Sequence, residues 1–178
     1  MIITESLLRS LTPQVGVVNE ARSQIRCFSA YYRNLSVFLS HKHNELEHLE
    51  RVRSVLERLH TAVYVDWADP EMQHPTDRKT AKALKDKIKK YDKFIFIASD
   101  AAIHSGWCNW EVGYGDAQKY DTDKIAIFPI KQDNRIWEGN EYLQLYPSIE
   151  YNTIIKVFYV KYYFDNNKIV PLFDWLKR

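Results

Sequence analysis

Short apolar runs alternate with amphipathic segments through the middle of the chain, and this alternation constrains the fold more than any other feature. The run at 94–97, Phe-Ile-Phe-Ile, contains no polar side chain. Such a run is typical of a strand that is buried on both faces of a parallel sheet. Runs at 35–39, 62–65 and 125–128 also predict short strands.

Between these strands the apolar residues recur at three- and four-residue steps, which indicates helices at about 44–59, 81–91 and 105–119. Asn44 and Glu47 stand three residues apart, as in a capping box at the start of the first helix. The resulting order β-α-β-α-β-α-β favours an α/β fold, in which a central parallel sheet is flanked by helices and joined by right-handed crossovers.

The two ends of the chain fall outside this alternation. Apolar residues recur with helical spacing between positions 17 and 32, so we expect residues 1–33 to form an N-terminal helical extension. The main domain is then expected over 34–178, with a motif-bearing core at about 35–130 and a C-terminal extension. In that extension, 154–163 alternates like a strand, 165–167 resembles a turn, and Pro171 suits the start of a short helix.

Composition excludes several classes of protein. The 178 residues are 46% hydrophobic and 27% charged, which is ordinary for a globular domain and excludes wholesale disorder. The formal net charge of +2 gives no indication of nucleic acid binding. With two cysteines, no basic-apolar leader and no apolar run long enough to span a bilayer, the expectation is a cytoplasmic protein without a membrane partner.

The segment Ser105-Gly-Trp-Cys-Asn-Trp-Glu111 has the clearest chemical potential. Trp107 and Glu111 are four residues apart and therefore share one face of a helix. A carboxylate there can stabilise an oxocarbenium-like ribosyl group, while an indole stacks on a flat cationic leaving group. Cleavage of NAD+ between nicotinamide and ribose fits this pair. From periodicity alone, however, packing of Trp107 and solvation of Glu111 are favoured.

Other chemistry has less support. No glycine-rich phosphate-binding motif follows a strand, so a resident dinucleotide cofactor is not expected. His41 and His43 stand two residues apart, but no further ligand cluster completes a metal site, and no metal is expected. Cys108 is interpreted as a packing residue, because no base partner for it is evident.

Several segments, taken in order, resemble the Toll/interleukin-1 receptor (TIR) domain. The Trp-Cys-x-Trp-Glu form is most similar to bacterial TIR proteins that cleave NAD+, including those of antiphage defence systems such as Thoeris. The resemblance implies a flavodoxin-like three-layer fold. The matching segments lie at 37–42, 63–67, 69–70, 94–99 and 105–113.

The resemblance also implies a site. Glu111 matches the catalytic residue, which contacts the hydroxyls of the nicotinamide ribose, and Asp66 matches an acid near the ribose and nicotinamide. Asp69 suits either the site or an ordinary turn. The residues expected to bind the substrate are Ser40, His41, Lys42, Asp66, Asp69, Ser99 and Trp107.

For function, the resemblance implies release of nicotinamide together with ADP-ribose or a cyclic ADP-ribose-type signal. The expected partners are NAD+, further copies of the chain assembling through TIR surfaces such as loop 67–77, and a separate effector that responds to the product. Two alternatives stay open: a non-catalytic oligomerisation scaffold, and glycosyl transfer of the nucleoside deoxyribosyltransferase type.

A lysine-rich segment and an aromatic C-terminal segment each have an ordinary and a functional interpretation. Residues 78–93 contain eight Lys or Arg and two Asp, which predicts a solvated helix face or, less commonly, an electropositive rim for phosphates or a partner. The C-terminal segment is rich in aromatic residues, which suits core packing or a self-association surface.

Overall fold

The apolar runs form the strands of one mixed sheet. The computed structural model describes residues 1–12, 35–65 and 78–178, and these residues contain an eight-stranded sheet. The strands are β1 (Ile3–Thr4), β2 (Ser36–Ser40), β3 (Ala62–Tyr64), β4 (Lys93–Ala98), β5 (Ile125–Lys131), β6 (Ser148–Asn152), β7 (Val157–Tyr162) and β8 (Lys168–Pro171). The helices are α1 (Glu5–Leu11), α2 (Leu46–Glu57), α3 (Arg78–Lys90), α4 (Asp100–Ile103), α5 (Gly106–Lys119) and α6 (Leu172–Leu176).

The strand order is β3-β2-β4-β5-β6-β7-β8, and β1 pairs with β5. Pairing is parallel from β3 through β6, which confirms the predicted parallel sheet and its flavodoxin-like arrangement. The β6–β7 and β7–β8 pairs are antiparallel. The expected strand at 154–163 corresponds to β7, but β6, β8 and the antiparallel pairing were not predicted.

The position of β4 in the sheet explains why its sequence is apolar throughout. Phe94 and Phe96 point into a cluster with residues of α3 and α5, whereas Ile95 and Ile97 point into a second cluster with residues of α1, α2 and α6. The sheet is therefore covered on both faces, as the run of apolar residues predicted. Each cluster lies between the sheet and the helices on one of its faces, and the result is a three-layer α/β structure.

The predicted capping box at Asn44 and Glu47 is wrong. Helix α2 begins at Leu46, and Glu45 occupies the N-cap position without a side-chain cap bond. The Glu47 carboxylate accepts hydrogen bonds from Arg9 and Arg51 instead, because α1 packs beside α2. A local motif cannot reveal such partners from a distant segment.

Residues 1–12 belong to the sheet and its core. Ile3 pairs with Ile130, and both Ile3 and Leu8 are fully buried. Thr4 caps α1 by accepting a hydrogen bond from the backbone N–H of Leu7 at 3.2 Å. These residues were expected to belong to an extension, since a two-residue strand has no detectable periodicity. The helix predicted between positions 17 and 32 lies outside the described residues, so a boundary at residue 33 stays a prediction.

The C-terminal segment follows its predictions more closely. Asn166 and Asn167 have positive φ in the turn between β7 and β8, and α6 begins directly after Pro171. Trp175 is buried in the core, whereas Phe164 is exposed. Core packing therefore accounts for only part of the aromatic cluster.

Helix α3 presents a lysine-rich surface. Leu84 and Ile88 are buried against the sheet, and Lys82 and Lys90 are exposed. This is the solvated face that the amphipathic pattern predicted. Within the three described stretches, no helix combines the length and the apolar character that crossing a bilayer requires.

Candidate active site

The ends of β2 and β4 place the predicted residues at one edge of the sheet. Ser40 is the last residue of β2, and Glu111 lies in the second turn of α5, which packs over the sheet. The Oγ of Ser40 donates a hydrogen bond to Oε2 of Glu111 at 2.6 Å. Glu111 is only 2% exposed, so the expectation of a solvated carboxylate is wrong. A buried carboxylate requires such a donor, since burial without one is costly.

The first turn of α5 is tied to the loop after β2. Ser105 occupies the N-cap, and its Oγ lies 3.4 Å from Nζ of Lys42. The thiol of Cys108 donates to the backbone carbonyl of His41 at 3.3 Å. Cys108 therefore packs and orients the loop, as expected of a packing residue. These contacts bring His41 and Lys42 to the same helix end as Trp107 and its neighbour Glu111.

His41 is buried at this edge, and its ring stacks on that of exposed His43 at a centroid distance of 5.7 Å. Across residues 1–12, 35–65 and 78–178, no group of three or more His, Cys, Asp or Glu side chains is placed to hold a metal ion.

Trp107 offers an aromatic face and a buried donor. Its ring stacks on that of Trp110 at a centroid distance of 5.0 Å. The indole Nε1 is buried, and among the described residues it has no hydrogen-bond partner. Buried donors are nearly always satisfied. A ligand with an acceptor next to Trp107 would satisfy this one.

Ser99 follows β4 and is also buried. Its Oγ accepts a hydrogen bond from the backbone N–H of Ala102 at 3.1 Å, which caps α4, and donates to the carboxylate of Glu45. Glu45 was not among the residues predicted from the sequence. Its position in the loop after β2 could have marked it as a residue near the site. An acid at the start of a helix, however, is ordinarily explained by a favourable interaction with the helix dipole.

The pKa of Glu45 is shifted by its neighbours. Burial raises the pKa of this carboxyl, but the ion-pair contact with His48 and the hydrogen bond from Ser99 outweigh burial, and the pKa is lowered overall. The carboxylate therefore stays charged beside the site. His41 adds a smaller electrostatic contribution in the same direction.

The structure thus brings together six of the eight predicted site residues: Ser40, His41, Lys42, Ser99, Trp107 and Glu111. Asp66, Asp69 and loop 67–77 lie outside the described residues. Their part in the site stays a prediction. The last described residue before them, Val65, is buried in the core cluster that contains Ile95.

Comparison with known proteins agrees with this fold. The family model described as "TIR domain" matches residues 37–155. A protein of Bacillus cereus (strain MSX-D12), named "Probable 3' cyclic ADP-D-ribose synthase ThsB'", is 30% identical over 145 residues, which cover 77% of this chain and 74% of that protein. The matched region contains β2, β4 and α5 with the Ser40–Glu111 pair, and the chain belongs to the TIR domain family.

Proposed function

We propose that the protein cleaves NAD+ at the nicotinamide–ribose bond and releases nicotinamide with an ADP-ribose or cyclic ADP-ribose-type signal in bacterial antiphage defence. The observation that carries this proposal is the buried Glu111 carboxylate, held by Ser40 at 2.6 Å beside Trp107. The name of the Bacillus cereus relative supports it independently. Glu111 is the proposed catalytic residue.

In the proposed reaction the bond between the ribose anomeric carbon and the pyridinium nitrogen breaks. Its electron pair goes to the ring nitrogen, so nicotinamide leaves neutral and no general acid is needed. Positive charge then develops on the ribose. The Glu111 carboxylate stabilises that charge, and it does so more strongly in a water-poor site than in bulk solvent. Ser40 keeps the carboxylate in one orientation through its hydrogen bond.

The other residues have proposed roles in binding. The Trp107 ring can stack on the pyridinium, and its Nε1–H can donate to the carboxamide oxygen. Lys42 supplies a positive charge for the pyrophosphate, and His41 and Ser99 border the same space. Asp66 and Asp69 are proposed as further substrate contacts, on the strength of the family resemblance alone.

The fate of the ribosyl cation decides the product. Attack by water gives ADP-ribose and one proton, whereas attack by a nucleophile within the same molecule gives a cyclic ADP-ribose isomer. The name of the Bacillus cereus relative favours the cyclic outcome. NAD+ is then a substrate, and no resident cofactor is proposed.

The proposed partners follow from this activity. A cyclic nucleotide-like product requires a separate effector protein that binds it. We also propose self-association through TIR surfaces, and a cytoplasmic location where NAD+ is abundant. No membrane or nucleic acid partner is proposed.

The test incubates purified protein at high concentration with NAD+ and follows nicotinamide, ADP-ribose and cyclic products by chromatography. Glu111→Gln should reduce turnover at least about a hundredfold, as expected when a group that stabilises transition-state charge is removed. Glu138→Gln, which changes an exposed carboxylate in the same way, should leave turnover unchanged. Equal turnover in all three proteins would show that Glu111 is not catalytic.

Two outcomes would favour the other candidate functions. No turnover by the wild type at any protein concentration would favour the non-catalytic scaffold. Turnover of free deoxynucleosides in place of NAD+ would favour glycosyl transfer of the nucleoside deoxyribosyltransferase type.

A further inference from the structure

Glu45 lies at the edge of the proposed site, yet no step of the proposed reaction uses it. It occupies the N-cap position of α2, where a side chain normally accepts a hydrogen bond from the helix backbone, and makes no such bond. Its side chain is 18% exposed. The carboxylate instead accepts a hydrogen bond from Ser99. Helix capping therefore does not explain its position.

The contact between Glu45 and Ser99 joins two loops. Glu45 ends the loop that carries His41 and Lys42, and Ser99 is the first residue after β4. Strands β2 and β4 are neighbours, with Ser40 in register with Phe96. The hydrogen bond from Ser99 to Glu45 therefore links the loops that follow these two strands.

The same loop is folded back on itself. The backbone N–H of Glu45 donates to the carbonyl of Lys42 at 2.9 Å. Nζ of Lys42 lies 3.4 Å from Oγ of Ser105 at the start of α5. A displacement of Glu45 would therefore move Lys42 relative to the helix that carries Glu111.

A second contact holds Glu45 from the opposite side. Oε1 of Glu45 lies 3.5 Å from Nδ1 of His48, and Nε2 of His48 lies 3.5 Å from Oε1 of Glu5 in α1. The chain of contacts runs from α1 through α2 to the end of β4. Because it has partners on both sides, the Glu45 carboxylate has little freedom to rotate.

We propose that Glu45 is a positioning residue for NAD+ cleavage, which fixes the loop of His41 and Lys42 against the end of β4 through Ser99. This inference rests on the proposed function. A misplacement of about 1 Å in a site can lower a rate by two orders of magnitude. Glu45 acts through the loop, without contact to the reacting atoms.

The experiment measures kcat and KM for NAD+ in Glu45→Ala, Glu45→Gln and Ser99→Ala. Glu45→Ala should lower kcat/KM about thirtyfold and raise KM about fivefold, because Lys42 is no longer held. Glu45→Gln keeps an acceptor for Ser99 and should recover most of the loss. A lower fraction of folded protein would reduce apparent kcat but would not change KM.

The matched control is Glu47→Ala on the same helix. This variant also removes a carboxylate with two partners, but these partners are arginines of α1 and α2, away from the site. Its KM and kcat should equal those of the wild type. The double variant Glu45→Ala with Ser99→Ala should lose less than the sum of the two single losses, because both changes remove the same Ser99–Glu45 contact.

The outcomes separate this inference from the proposed function. If the wild type is active, Glu111→Gln is inactive, and Glu45→Ala matches Glu47→Ala, the positioning role is overturned and the activity stands. Additive losses in the double variant overturn the role as well. A wild type without NAD+ turnover overturns both proposals.

Discussion

Ser40 at the end of β2 donates a 2.6 Å hydrogen bond to Glu111 on α5, so a strand of the sheet directly contacts the proposed catalytic carboxylate. Both residues are buried. Hydrogen bonds to charged groups are about twice as strong as those between neutral groups. The serine therefore favours one orientation of the carboxylate.

Ser40→Ala should lower the kcat of NAD+ cleavage about tenfold, which corresponds to about 1.4 kcal/mol of transition-state stabilisation. The carboxylate remains, but it loses a donor that aligns it. Steady-state release of nicotinamide measures the effect. The matched control is Ser36→Ala, which removes a 2.7 Å hydrogen bond to Asp92 at the other end of the same strand. If both variants lose activity equally, the effect comes from strand stability and the positional argument fails.

Trp107→Phe tests the buried indole donor. The variant keeps an aromatic ring for stacking and removes an N–H that has no partner among the described residues. The KM for NAD+ should rise about fivefold, equivalent to about 1 kcal/mol, which is typical of one hydrogen bond. Trp110→Phe is the control, since Trp110 belongs to the same ring stack and its indole nitrogen is not among the buried donors without a partner. An unchanged KM in Trp107→Phe would show that the indole N–H does not bind the substrate.

The raised pKa of His48 should make the stability of the protein depend on pH. Burial lowers its pKa, but the ion-pair contact with Glu45 and the charges of Glu5 and Glu47 outweigh burial, and the pKa is raised overall from 6.5. The folded state therefore holds the proton more tightly than the unfolded state. The stabilisation from His48 is complete below about pH 6.5 and is lost as the pH rises through the folded-state pKa.

The measurement is urea unfolding of the wild type and His48→Gln at several values from pH 5.5 to 9. The difference in the free energy of unfolding between the two proteins should be largest at low pH and shrink as the pH rises. A difference that stays constant over this range would mean that protonated His48 is not favoured by folding. His60→Gln, which changes an exposed histidine, serves as the control.

The sequence predicted the parts of the fold that depend on local patterns. Phe94, Ile95, Phe96 and Ile97 predicted a strand buried on both faces, and β4 is central in the described sheet. Strand β1 was missed because its two residues form a strand only by pairing with Ile130. Pairing with a distant strand leaves no periodic signal in so short a segment.

The site was predicted unevenly for the same reason. Trp107 and Glu111 share a helix face by spacing, and that arrangement is local. The Ser40–Glu111 and Ser99–Glu45 hydrogen bonds join residues far apart in the chain, so spacing could not reveal them. The capping-box prediction failed because it assigned Glu47 to its own helix end, whereas Arg9 of α1 binds that carboxylate.

Two glycines of α5 provide a matched test of how this helix packs. A Cβ at Gly115 would lie 3.0 Å from the ring of Phe94, whereas a Cβ at Gly113 would meet nothing within 4 Å. Phe94 is fully buried and stacks on Phe38 at 5.6 Å, so it has no room to retreat. Alanine favours a helix over glycine by about 1 kcal/mol, but overpacking a core costs about 1–3 kcal/mol.

Gly113→Ala should therefore raise the free energy of unfolding by about 0.5–1 kcal/mol. Gly115→Ala should lower it by about 1 kcal/mol, because the clash with Phe94 outweighs the gain in helix propensity. Urea unfolding of both variants gives the two values. Gly115 lies one helical turn from Glu111, so its variant should also lose NAD+ turnover while Gly113→Ala keeps it. Equal stabilisation by both substitutions would show that α5 does not pack against β4 at this distance, and the burial of Glu111 would then need another cause.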